Sequence, residues 1–181
     1  MRIRTPFLAA ALLLSLGACS ASRPDVPTGW QQESVQNFSV YRPGGWTVEE
    51  PQEGMLQFRP PASTDVDITI AVQSTPEEDM TLAAYNDEYL ASLGPGLKEE
   101  GLSFTIIASK EATLAGSPGH SLLLSLQGEH DVKALSVWTV QNGKVYTVTY
   151  AATPEQFDVS MPVMETMLKS AILSPLPAGG D

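Results

Sequence analysis

The chain has 181 residues, with 10 basic and 21 acidic side chains, a net charge of −11 and one cysteine. That balance argues against a nucleic-acid partner, because tracking a phosphate backbone takes clustered Lys and Arg. A single thiol excludes an internal disulfide and a zinc site built on several cysteines, and no uninterrupted apolar run approaches the roughly 20 residues of a membrane span.

The first segment reads as an address. Arg2 and Arg4 give a cationic start, residues 7–16 are mostly apolar, and Leu16, Gly17 and Ala18 lead into Cys19. This is the layout of a secretory signal peptide over residues 1–18. Its end resembles the bacterial lipobox, whose cysteine is diacylated on the thiol before cleavage on its N-terminal side. Cys19 is therefore the expected lipidation site. Removing the 18 residues of the address from 181 leaves 163, and the loss of two arginines moves the net charge from −11 to −13. Two or three acyl chains hold a protein stably at a bilayer, where one is marginal. Ser20 occupies the position where the inner-membrane retention signal of enteric bacteria has Asp. In a Gram-negative cell the expected place is thus the periplasmic face of the outer membrane.

Residues 19–29, with Pro24 and Pro27 among small and polar residues, read as the acylated N-terminus and a flexible tether. Ten such residues reach roughly 35 Å at about 3.5 Å each. One domain is expected over 30–174, and the Pro- and Gly-rich residues 175–181 read as a disordered tail.

Within the domain, strand patterns dominate. Residues 38–41 alternate into a turn at Pro43, Gly44 and Gly45, and 46–48 resume after it. Further strands are predicted at 55–59 and 66–72, separated by 61–64, and the second puts Val66, Ile68 and Ile70 on one face with Asp65, Asp67 and Thr69 on the other. A helix follows a start between Thr75 and Thr81, with Leu82, Tyr85, Tyr89 and Leu93 on one stripe, and is expected to stop at Gly94 and Pro95. Strands are then predicted at 102–108, 122–126, 134–140 and 145–150.

The strongest local signal is Asn142-Gly143, a two-residue type I′ hairpin turn. It fixes the register: Val140 opposes Val145, Trp138 opposes Thr147, Val137 opposes Val148 and Leu135 opposes Tyr150. One face then carries Leu135, Val137, Tyr146, Val148 and Tyr150, and the other Trp138, Val140 and Val145 among Ser136, Thr147 and Thr149. A hairpin apolar on both sides calls for a sheet covered on both faces. The expected fold is α+β, an antiparallel β-sheet with helices on both faces in an α/β/α sandwich. The second helix begins with Thr153 as N-cap, Pro154 at the first helical position and Gln156 closing a capping box, and its stripe is Phe157, Met161, Met164, Leu168 and Ile172.

Few residues point to chemistry. Gly116, Ser117, Pro118, Gly119 falls one residue short of a nucleophile elbow and reads as a turn leading into a strand. His120 and His130 are expected at opposite ends of a hairpin, too far apart to share a metal. Weak cation candidates are Glu129 with Asp131 and Asp65 with Asp67, because alternate carboxylates on a strand share a face and hard cations want oxygens. No catalytic residue, cofactor or strong metal site is expected. The acidic groups Glu77, Glu78, Asp79 and Glu99, Glu100 read as a helix start and a solvated loop.

Several of these residues together resemble a known family. Phe38, Val40, Tyr41, Pro43, Gly45 and Trp46 look like its opening strand and Pro-Gly-Trp turn. Leu114, Gly116, Pro118 and Gly119 resemble its Leu-x-Gly-x-Pro element, and residues 145–150, Thr153, Phe157 and 167–170 are similar to its closing strand and helix. The family is the PsbP/DcrB-like group, with the Mog1/PsbP-like fold. The resemblance covers about 38–173. It implies an antiparallel sheet sandwiched between helices. It also implies a non-catalytic role: photosynthetic members are extrinsic subunits supporting the oxygen-evolving complex, and many bacterial members are envelope lipoproteins. The expected function is a lipid-anchored, non-enzymatic accessory or binding module of the bacterial cell envelope, held to the membrane by its acyl chains and facing an unidentified envelope protein partner. The alternatives are an extrinsic photosystem II subunit with weak divalent-cation binding, and an envelope hydrolase using an unrecognised serine with His120 or His130.

Overall fold

The computed structural model describes residues 25–61 and 65–175. Cys19 and most of the expected tail lie outside the described residues. Twelve elements follow in order: β1 (Gln31–Val35), β2 (Phe38–Arg42), β3 (Thr47–Glu49), β4 (Met55–Arg59), β5 (Val66–Ser74), α1 (Leu82–Glu99), β6 (Ser103–Leu114), β7 (Ser117–Gln127), β8 (Val132–Gln141), β9 (Lys144–Ala152), α2 (Pro154–Lys169) and β10 (Ile172–Leu173).

Seven strands form an antiparallel sheet in the order β3-β4-β5-β9-β8-β7-β6, and β1-β2-β10 form a second, smaller sheet. The β8–β9 hairpin has the predicted register, with Val140 opposite Val145, Trp138 opposite Thr147 and Leu135 opposite Tyr150. Asn142 and Gly143 have φ of 51° and 69°, as a type I′ turn requires at both central positions. Val66, Ile68, Ile70 and Val72 of β5 join Val137, Tyr146, Val148 and Tyr150 on the inner face of the large sheet. There they meet Phe157, Met164 and Met167 of α2, and Val35, Phe38 and Val40 of the small sheet. The outer face carries a second cluster of Leu122, Leu124, Trp138 and Val145, under Leu82, Tyr85, Tyr89, Leu90 and Leu93 of α1. Each face carries a helix, α2 with the small sheet on the inner one and α1 over part of the outer one, in line with the two-sided hairpin.

Four expectations are corrected. Helix α1 does not stop at Gly94 and Pro95 but runs through them to Glu99. A proline's φ suits a helix and it withdraws one N–H, while at Gly94 the ring of Phe104 lies close against the backbone. The stop comes at Gly101, φ 75°, where Leu102 N–H donates to the Leu97 carbonyl at 2.9 Å and Gly101 N–H to that of Lys98 at 3.1 Å, a Schellman closure. Strand β7 begins at Ser117, so Ser117, Pro118 and Gly119 are strand residues, and the turn falls on Ala115 and Gly116, φ 51° and 78°. A Cβ at Gly119 would lie 2.3 Å from the Trp138 carbonyl oxygen, which explains the glycine inside a strand.

The capping box is not formed, because the Thr153 side chain makes no cap bond; its backbone N–H instead donates to the Asp65 carbonyl at 3.2 Å. Helix α2 also ends before Ile172, which pairs with Ser39 of β2. Met167, off the predicted stripe, is buried in its place.

Candidate functional site

Helix α1 packs over β6, β7 and β8 and leaves the outer face of β4, β5 and β9 beside it. A groove of about 300 Å³ runs along this boundary, lined by Met55, Thr69, Ala71, Gln73, Ser136, Thr147 and Thr149 from the sheet, Trp138, and Tyr85 and Tyr89 from α1. Strand pairing builds its floor. Thr149 stands opposite both Thr69 and Ser136, a row of three hydroxyls across three strands, and Thr147 opposite both Ala71 and Trp138. The Ser136 and Thr149 hydroxyls lie 3.1 Å apart.

The wall is aromatic. Tyr85 and Tyr89 fall one helical turn apart and stack at 5.9 Å. The rings of Tyr89 and His120 each pack 5.1 Å from the Trp138 ring. The Trp138 N–H donates to Asn86 Oδ1 at 2.8 Å, which fixes the indole against α1. Burial raises the hydroxyl of Tyr85, with Tyr89 and Glu88 adding to it, and burial alone raises that of Tyr89. Both remain neutral phenols well above neutral pH.

A second, larger cleft of about 820 Å³ lies at one end of the sheet and collects Asp65, Asp67, Glu129, His130, Asp131 and Glu155. All four carboxylates singled out as cation candidates therefore share one cleft, brought together because β9 lies between β5 and β8. Asp67 is already engaged: Gln57 and Arg59 donate to Oδ2 and Thr69 donates to Oδ1. Among the described residues no three His, Asp or Glu side chains are grouped to hold a metal ion.

The two histidines separate as expected. His130 lies in the acidic cleft, while His120, opposite Trp138, sits 2.8 Å through Nε2 from the Ser109 hydroxyl of β6. Among the described residues nothing is hydrogen-bonded to its Nδ1, so the pair lacks the third group that orients a catalytic base.

The sequence profile of the PsbP family matches residues 26–171. The chain belongs to the PsbP family. As a PsbP-family chain it is similar in structure to cyanobacterial PsbP (CyanoP) from Synechocystis sp. PCC 6803, at 16% identity and a TM-score of 0.62, over 88% of this chain and 99% of that one. It also resembles LpqN of Mycobacterium tuberculosis, described as involved in cell envelope biogenesis, at 17% identity and a TM-score of 0.52, over 81% and 92% of the two chains. The Saccharomyces cerevisiae Ran-binding protein Mog1p aligns at 7% identity and a TM-score of 0.53, over 80% and 96%. At such identities the likeness is one of fold. No curated protein matches the chain in sequence.

Within this PsbP fold, most residues of the groove fall on elements expected from the sequence, with Gln73 one residue past the expected strand 66–72, but the groove itself does not show in the sequence. Tyr85 and Tyr89 were legible as a helix stripe, and Trp138, Ser136, Thr147 and Thr149 as the mixed outer face of a hairpin. The signal that joins them is the pairing of an aromatic stripe with a face too polar to be buried completely.

Proposed function

We propose that this PsbP-family chain is a lipid-anchored, non-enzymatic binding module of the bacterial cell envelope, and that the groove beside α1 is its binding surface. The observation that carries the reading is the half-covered outer face: an aromatic wall standing over half-buried hydroxyls, in a groove whose lining holds no histidine or carboxylate to activate them. Burying these groups fully would strand polar atoms, so the face is built to stay accessible. Support for the envelope comes from the lipobox-like segment ending at Cys19 and from the fold shared with LpqN, whose description places that protein in envelope biogenesis. The small sheet, which begins the domain after the tether, lies on the inner face with α2, opposite the groove.

Replacing Tyr89 with a photo-crosslinking amino acid in the full chain, in living cells, tests the reading. Irradiation is expected to give a discrete adduct in the membrane fraction, with none when the same group is placed at Val159, 71% exposed on α2. Equal adducts at both positions, or none at either, would overturn it.

A further inference from the structure

We propose that the groove takes an uncharged sugar, one or two pyranose units in size; the inference rests on the groove being the binding surface and names what it binds. The lining is unusual for this chain. With 21 acids and 10 bases in the sequence, none of the ten residues around the groove is charged. An anionic ligand would therefore meet no counter-charge in the lining, and the carboxylate that adjoins it, Asp67 beside Thr69, is already held by Gln57, Arg59 and Thr69. An aliphatic tail fits no better, because the floor is not apolar: Thr69, Ser136, Thr147 and Thr149 present hydroxyls across three paired strands, and an apolar chain laid on them would desolvate each hydroxyl without replacing its hydrogen bond to water.

A sugar answers both surfaces at once. Its ring carries a C–H face that packs on aromatic rings and an equatorial rim of hydroxyls that both donate and accept. Here the wall is Tyr85 and Tyr89, backed by the buried Trp138, and the rim would face the strand hydroxyls. Among the described residues, the hydroxyls of Thr147, Tyr85 and Tyr89 and the side-chain amide of Gln73 have no hydrogen-bond partner, so donors and acceptors of both kinds are free. Those of Thr69, Ser136 and Thr149 are already held by neighbours, which fixes their direction. Trp138 is pinned by Asn86, so the wall does not need ordering on binding. A volume of about 300 Å³ stands at the low end of ligand pockets, which sets the size at one or two rings.

Saturation-transfer NMR on the full chain tests this, with maltose, N-acetylglucosamine and octyl glucoside as neutral probes and glucuronate as the charged control. The neutral sugars are expected to receive saturation and glucuronate much less. Tyr89→Ala should weaken binding about five- to tenfold, and Thr147→Val, which keeps the branched shape of the strand residue but removes its hydroxyl, should weaken it with an unchanged thermal melt. Octyl glucoside binding no tighter than maltose assigns a free sugar or glycan; tighter binding assigns the headgroup of a glycolipid. If the neutral sugars give no transfer while the Tyr89 adduct still forms in cells, the groove binds but the sugar assignment fails. If both are missing, the binding surface fails with it. Transfer to glucuronate equal to that of maltose would also overturn the proposal.

Discussion

Tyr150 ties the large sheet to α2. Its ring stacks on Phe157 at 4.9 Å, and its hydroxyl donates to the Phe157 carbonyl at 2.7 Å and lies 3.3 Å from that of Gln156. Burial pushes this hydroxyl up to about 12 from 10.0, with Asp158 adding to the rise and Ser160 opposing it. A group whose folded value is raised holds its proton more tightly when folded, so its contribution is complete below pH 10 and is lost as the pH rises toward 12. Denaturant unfolding should therefore show stability falling across that window. Tyr150→Phe should be about 1 kcal/mol less stable at neutral pH and should lose much of the alkaline fall; a fall of the same size in the variant would assign it to other groups. Arg42 is the other residue on which the inner face depends. It is 7% exposed, and its Nε and Nη2 both donate to Glu33 Oε1, at 3.0 and 2.6 Å, so a charge held inside the small sheet is paired.

Strand β6 is a long edge of the large sheet. It exposes Ile106 at 46% and Ile107 at 50%. Its ladder to β7 shifts register between Ile106 and Ala108, and such a bulge twists an edge away from further pairing. Ile107→Lys should leave the stability within about 0.5 kcal/mol and reduce light scattering on heating, since a charge on an edge opposes strand addition. Scattering unchanged in the variant would show that the bulge already protects the edge. Elements of this kind also mark what was legible in the sequence. The β8–β9 register followed from Asn142-Gly143, because a two-residue turn leaves one pairing. The end of α1 did not follow from Gly94-Pro95, because the stop depends on the closure at Gly101 and on Phe104 packing, neither of which is local to the proline. Strands β1 and β10 do not show in the sequence, since β1 is mostly polar and β10 is two residues long; both exist by pairing with β2, where a strand is expected over 38–41.

At the scale of the whole molecule, the two faces of the large sheet divide the work. The inner face is sealed by α2 and the small sheet, and the outer face is left half open by α1. The cation candidates Glu129, Asp131, Asp65 and Asp67 were each visible as alternate carboxylates, but their meeting in one cleft depends on strand order, which no local pattern encodes. The groove was hidden for the same reason. Among the described residues no helix is long and apolar enough to cross a membrane, and the net charge, −11 for the whole sequence and −13 if residues 1–18 are removed, repels anionic headgroups. On the lipid-anchored function we propose, membrane residence would rest on acyl chains at Cys19 rather than on the folded surface. Metabolic labelling with palmitate, followed by membrane fractionation, tests this directly. The wild-type chain is expected to incorporate label and sediment with membranes, while Cys19→Ala incorporates none and is released; label in the Cys19→Ala chain, or an unlabelled wild-type chain in the soluble fraction, would contradict the lipid-anchored assignment.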